Sequence, residues 1–184
     1  MKITDALRDR RSVREYKREA VPRRTVETLI EAATLAPSAM NEQPWHFTVV
    51  QDKALLDTLS DRAKAHMLSS GGPVLEPHRS MLQERAFHIF YHAPALIVIS
   101  APEKMPWAVE DCALAAENLM LAAADEGLGT CWIGFAQSLL ATDVGTSFIG
   151  LPPGLRCVAP IVVGRPAQVP LPVARRNPAI HWIG

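Results

Sequence analysis

The stretch PWAVEDCALAAENLMLAAADEGLGTCWIG, residues 106–134, decides how this chain folds. Pro106 opens a helix that runs to about Glu126, since a proline is tolerated where the first N–H has no helical partner. Its polar residues come in pairs, Glu110 with Asp111, Glu117 with Asn118 and Asp125 with Glu126. The pairs recur at nearly heptad spacing and so form one narrow stripe. Between them, Cys112 to Ala116 and Leu119 to Ala124 are apolar. A helix apolar over most of its circumference must be buried on several sides, and its alanines permit close helix packing. The expectation is a long buried central helix of a kind that a partner subunit can share. Gly127 is a natural left-handed residue just past the helix end. Residues 130–133 then form a short strand that stops at Gly134.

Upstream, residues 3–9 predict a short helix. Pro22 fits the first turn of a second helix, whose apolar face is Val26, Leu29, Ile30 and Ala33. That helix stops before Ala36-Pro37, because the residue ahead of a proline is pushed out of the helical region. Residues 36–47, APSAMNEQPWHF, form a loop leading into a buried strand at 47–50. Asp52 N-caps a helix to about Met67, with Leu55, Leu56, Leu59 and Ala63 on its apolar side. Residues 69–77 are loop-like, and residues 79–92 are expected to be helical. Residues 95–99, ALIVI, are apolar throughout and so make a strand buried on both faces. Residues 136–142 and 143–150 suit short helical turns. Residues 155–163 form a last core strand, where Pro160 predicts an edge position or a bulge. The tail from Gly164 is an extended arm with Arg175 and Arg176 in its middle. The pattern predicts an α+β fold, a mixed β-sheet flanked by helices, in a single domain spanning residues 1–184.

The chain has 184 residues, 48% hydrophobic and 21% charged, with zero formal net charge. That composition is globular. It provides no global field to attract nucleic acid or an anionic membrane, so any anion site must be local. Three widely spaced cysteines match no zinc pattern and suit a reduced, cytoplasmic protein. No signal-peptide core and no bilayer-length apolar run is present in the sequence.

The local anion site is Arg10-Arg11-Ser12-Val13-Arg14. In an extended segment Arg10, Ser12 and Arg14 share one side, with Arg11 opposite. Two guanidinium forks flanking a hydroxyl suit a phosphate. Taken alone, the run reads more readily as a solvated basic surface, and only the rest of the chain turns it into a site. No dinucleotide fingerprint, Walker loop or nucleophile elbow occurs. His88 and His92 are four residues apart but lack an accompanying glutamate, which favours a structural role, so no metal is expected.

The arginine stretch, the APSAMNEQPW loop, the GLGTCWIG turn and the strand ending in Gly164-Arg165-Pro166 occur in an order that resembles the FMN-dependent nitroreductase family. The matched residues are Arg10 to Glu15; Ala36, Pro37, Ser38, Asn41, Gln43, Pro44, Trp45 and Phe47; and Gly127, Leu128, Gly129, Trp132, Ile133 and Gly134. The resemblance implies that Arg10, Arg11, Ser12 and Arg14 contact the FMN phosphate, ribityl chain and pyrimidine edge. Pro37, Ser38, Ala39, Met40 and Asn41 would meet the flavin from the other subunit of a homodimer. Ile133 and Gly134 would lie by the flavin ring, and Arg175 or Arg176 would complete the phosphate site. The implied activity is an oxidoreductase that takes hydride from NADH or NADPH and reduces a nitroaromatic, quinone or enal. A specialised aldehyde or dehalogenating reductase, or a flavin-binding protein without turnover, are the alternatives. No side chain need act as acid or base, so no catalytic residue is named. Residues 65–90 match the family pattern poorly, and Arg165 stands where the family often has an aromatic residue.

Overall fold

Strand β2 (Ala95–Pro102) is buried from Ala95 to Ala101, and its alternate side chains enter two separate cores. Ala95, Ile97, Ile99 and Ala101 face one, while Leu96 and Val98 face the other. A computed structural model describes residues 2–72, 75–168 and 170–184. In it β2 pairs with β1 (His46–Val50) and β4 (Leu155–Gly164), and β4 pairs with β3 (Gly129–Trp132). The order is β1-β2-β4-β3, antiparallel at every pair. Among the described residues, the parallel part of the expected mixed sheet is confined to an isolated bridge, Ser12 to Thr130.

Helices cover both sheet faces. On one face α2 (Arg23–Thr34) and α5 (Ala108–Asp125) pack together, with α1 (Ile3–Asp9) against α5. On the other lie α3 (Lys53–Ser70), α4 (Arg79–Gln83), α6 (Gly134–Leu140) and α7 (Asp143–Phe148). The expected caps are in place. Asp52 accepts the Leu55 N–H at 2.8 Å, a bond of a kind worth about 1 kcal/mol. At the end of α5, Leu128 N–H reaches Ala123 O (2.8 Å) and Gly127 N–H reaches Ala124 O (3.2 Å), with Gly127 at φ 68°. This double bond pattern with a left-handed C′ glycine closes the helix. Pro22 sits one residue before α2 rather than inside its first turn. Among the described residues no helix is long and apolar enough to cross a membrane.

Further expectations change, and β1, expected to be buried, is so only at Val50. Pro160 lies on an interior strand, not an edge. Its carbonyl accepts Ile133 N–H at 2.8 Å, so its missing N–H points to the same side, just past the end of β3, where no ladder bond is lost. The register shift between Ile99 and Ser100, opposite Ala159 and Cys157, supplies the bulge nearby. Residues 79–92 are helical only over Arg79–Gln83. Beyond it α3 captures the backbone in turns: Lys64 Nζ donates to Phe87 O (2.8 Å), and Ile89 N–H donates to Ser60 Oγ (3.1 Å). Of the expected loop at 69–77, Ser69 and Ser70 finish α3, Glu76–His78 form a 3-10 turn, and Pro73 and Val74 lie outside the described residues. The tail from residue 170 has no regular secondary structure and is exposed from Leu171 onward; Val169 is outside the described residues.

Candidate functional site

The arginine stretch is extended and docks on the free edge of β3. Val13 N–H donates to Thr130 O at 2.9 Å. Further on, Lys17 N–H reaches Arg165 O and Ala167 N–H reaches Glu15 O, both at 2.9 Å. The segment thus covers an edge that would otherwise stay open. Val13 is buried directly over Gly129, where an added Cβ would lie 2.5 Å from Val13 Cγ2. Only glycine allows that approach. With Val13 turned inward, alternation sends Ser12 and Arg14 outward, and both are exposed.

Arg10 and Arg11 separate. Arg10 is half-buried, its Nε 3.4 Å from Glu117 Oε1 and without a hydrogen-bond partner among the described residues. Arg11 folds back, donating from Nη1 to the carbonyls of Arg8 and, at 2.7 Å, Arg10. It therefore caps the end of α1, away from the side shared by Ser12 and Arg14.

The loop after α2 is strained and anchored. Met40, Asn41 and Gln43 have φ of 51°, 57° and 48°, left-handed values that cost energy outside glycine. Ser38 Oγ accepts Gln43 N–H (2.9 Å) and Asp111 Oδ1 accepts Ala39 N–H (2.9 Å). Asp111 is 3% exposed. Its Oδ2 is buried without a partner among the described residues. Pro37, Met40 and Asn41 are exposed, and Ser38 and Ala39 are half-buried.

The polar stripe of α5 is therefore a docking seam rather than a uniformly solvated face. Asp111 holds the loop, Glu117 meets Arg10, and Asn118 Nδ2 donates to Ala32 O at 3.3 Å. Sequence reading placed Asp111 in the stripe and missed its role; the signal was a carboxylate beside the small residues of an otherwise apolar helix. Asp111 and Glu117 are separated by about 120° around the helix and about 9 Å along it. One chain consequently presents the loop at 37–41 and the arginine strand on different sides of α5.

Beyond β3, Ile133 is 3% exposed and buried beside Cys131, while Gly134 is exposed at the start of α6. Arg14 lies 5.9 Å from the centroid of the Tyr91 ring. Burial pushes the Tyr91 hydroxyl and the Cys131 thiol above their ordinary pKa values, and Arg14 opposes both shifts. Burial also pushes Cys112 and Cys157 up to about 12, so all three thiols stay protonated at neutral pH. Arg175 and Arg176 lie in the exposed arm.

Asp57, His88 and His92 bring ligand-type atoms within 4.8 Å of one another. The hydrogen bonding argues for a clip instead of a metal site. His88 Nδ1 accepts the N–H groups of Phe90 (3.2 Å) and His92 (3.4 Å), which puts the proton of the neutral ring on Nε2. That nitrogen faces Asp57 Oδ1 at 3.2 Å without the alignment of a full hydrogen bond. Burial first, then His92, brings His88 down to about 4.

Comparison with known proteins gives a consistent relationship. The model of the Nitroreductase family matches residues 7–165. A protein of Methanothermobacter thermautotrophicus named "Putative NADH dehydrogenase/NAD(P)H nitroreductase" is 33% identical over 139 residues, covering 73% of this chain and 61% of the relative. An iodotyrosine deiodinase of Thermotoga neapolitana is 28% identical over 132 residues, covering 70% of this chain and 71% of the other. A crystal structure of a nitroreductase with bound FMN from Bacteroides fragilis superposes with a TM-score of 0.86, at 28% identity and full coverage of both chains.

Proposed function

The chain belongs to the nitroreductase family, and on that premise we propose that it is an FMN-dependent NAD(P)H oxidoreductase acting on a small electrophilic acceptor. The observation that carries this reading is the exposed pair Ser12 and Arg14 on the edge of β3, with Arg10 half-buried next to it. This donor set fits the cofactor. Arg10, paired loosely with Glu117, has a buried Nε that lacks a hydrogen bond among the described residues, Ser12 offers a hydroxyl, and Arg14 a positive charge. A phosphate carrying nearly two negative charges is held well by such charge-assisted donors.

Arg10 and Ser12 hold the phosphate and ribityl chain in this reading, with Arg175 or Arg176 completing the phosphate site. Arg14 supplies positive charge where the reduced pyrimidine end becomes negative, a preorganised electrostatic role. FMN bound there would supply hydride chemistry at N5 between NADH or NADPH and a nitroaromatic, quinone or enal, in ping-pong order. Ile133 and Gly134 form the floor beside the ring. Pro37 to Asn41 close the site from a second copy of the chain. That homodimeric arrangement is supported by the separation of loop and arginine strand around α5. It is supported also by apolar side chains exposed in one chain, among them Met40 at 85%, Leu35 at 82% and Trp182 at 86%.

The purified protein is expected to be yellow, to bleach when NADH or NADPH is added anaerobically, and to sediment as a dimer. Protein that neither retains nor binds FMN, or that holds it without bleaching, would overturn the enzyme reading. A dehalogenating reductase is the second reading, favoured by the similarity to the Thermotoga deiodinase. The ratio of kcat/KM for a nitroaromatic and a halogenated phenol distinguishes the two.

A further inference from the structure

We propose that Tyr91 is a positioning residue that fixes the side chain of Arg14 at the cofactor site. The proposal rests on the reading above, in which Arg14 faces the pyrimidine end of the flavin.

Arg14 is an exposed arginine on an edge segment, and such a side chain is mobile unless something holds it. The Tyr91 ring lies within cation–π distance of its guanidinium, at 5.9 Å. Tyr91 arrives there by a constrained path. It has φ 53° and His92 has φ 52°, two consecutive left-handed residues that are not glycine. Strain of this kind persists only where the surroundings over-determine it.

Those surroundings come largely from α3. Lys64, 8% exposed, spends its ammonium on the Phe87 carbonyl, and fully buried Ser60 accepts the Ile89 N–H. Asp57 faces His88, whose other ring nitrogen accepts the N–H groups of Phe90 and His92. Three polar side chains on successive turns of one helix thus grip residues 87–89, directly before Tyr91. A buried lysine and a buried serine are costly ways to hold an idle loop. The geometry gives the grip a purpose: the loop delivers an aromatic face to the arginine at the β3 edge.

The test uses the FMN-loaded protein and reads the flavin reduction potential by dye equilibration, together with the affinity for oxidised FMN and the melting temperature. Tyr91→Leu is expected to reduce the preference for reduced over oxidised flavin by about three- to tenfold, in the same direction as Arg14→Ala. Affinity for oxidised FMN should change less than that preference. In the Arg14→Ala background Tyr91→Leu should shift the potential no further, since the two residues act as one unit. Tyr91→Phe, which keeps the ring, should retain most of the wild-type potential, and Tyr91→Met, which lacks the ring, reports in place of Tyr91→Leu if the latter does not fold. A potential shifted by Arg14→Ala but unmoved by the Tyr91 variant that lacks the ring overturns the proposal and leaves the functional reading standing. Additive shifts in the double variant also overturn it. If Arg14→Ala itself leaves the potential unmoved, the premise fails, and the proposal with it.

Discussion

The carboxylate of Asp111, buried near the start of α5, accepts the backbone N–H of Ala39 at 2.9 Å. A residue near the start of α5 thereby fixes a loop seventy-two positions earlier in the chain. That loop holds three left-handed residues, so its shape depends on its anchors. Asp111→Ala removes the only hydrogen bond described for the carboxylate and should cost about 1.5–3 kcal/mol of stability. Asp111→Asn keeps an acceptor at the same place and should recover most of the loss. Urea unfolding of both variants, with hydrogen exchange at the Ala39 amide, checks this; equal losses for Ala and Asn would remove the positioning role.

Gly129 and Val13 make the second relationship open to test. Gly129→Ala places a methyl 2.5 Å from Val13 Cγ2, so the arginine strand must lift from β3. Overpacking of this kind costs about 1–3 kcal/mol. Because Ser12 and Arg14 flank Val13, FMN affinity should fall along with stability. Val13→Ala in the same chain opens the space again and should restore part of both. A Gly129→Ala protein with unchanged FMN affinity would show that the strand position does not matter for binding.

These two contacts show where the sequence was informative. The glycine pattern of GLGTCWIG marked the helix end at Gly127 and the strand after it, because left-handed caps and short apolar strands have local chemistry. The both-face burial of β2 was equally legible in ALIVI. The partner of Asp111 was not, since a hydrogen bond across seventy-two residues leaves no spacing signal. The same holds for residues 84–92. Their composition allowed a helix, and tertiary contacts from Asp57, Ser60 and Lys64 decided otherwise. The interior place of Pro160 followed from where β3 stops, a fact of pairing and not of the strand itself.

The two neighbouring arginines should differ sharply on mutation. Among the described residues the buried Nε of each arginine lacks a hydrogen bond, but Arg11 already spends its Nη1 on two carbonyls at the end of α1, whereas no hydrogen bond is described for the Arg10 guanidinium beside Ser12. Arg10→Ala is expected to weaken FMN binding by about ten- to a hundredfold, the loss of a charge-assisted phosphate contact. Arg11→Ala should lower the melting temperature with little effect on FMN affinity. Fluorescence titration of apoprotein with FMN separates the two outcomes. The reverse pattern, with Arg11 controlling affinity, would exchange their roles.

His88 makes stability depend on pH in a defined window. Its folded pKa, about 4, lies below the ordinary 6.5, because burial disfavours the charged ring and His92 adds to the effect. A depressed folded pKa means that the unfolded chain binds the proton first as pH falls. The stabilising contribution is therefore complete above about pH 6.5 and is lost progressively down to about pH 4, where it levels off. The shift corresponds to roughly 3 kcal/mol at most. His88→Asn can still accept the N–H groups of Phe90 and His92 but does not titrate. Urea unfolding at pH values from about 7 to about 4 should show the wild type losing more stability than the variant over that interval, the difference growing as pH falls. Parallel pH profiles for the two proteins would mean that His88 is not the group responsible, and would reopen the question of what the Asp57, His88 and His92 cluster binds.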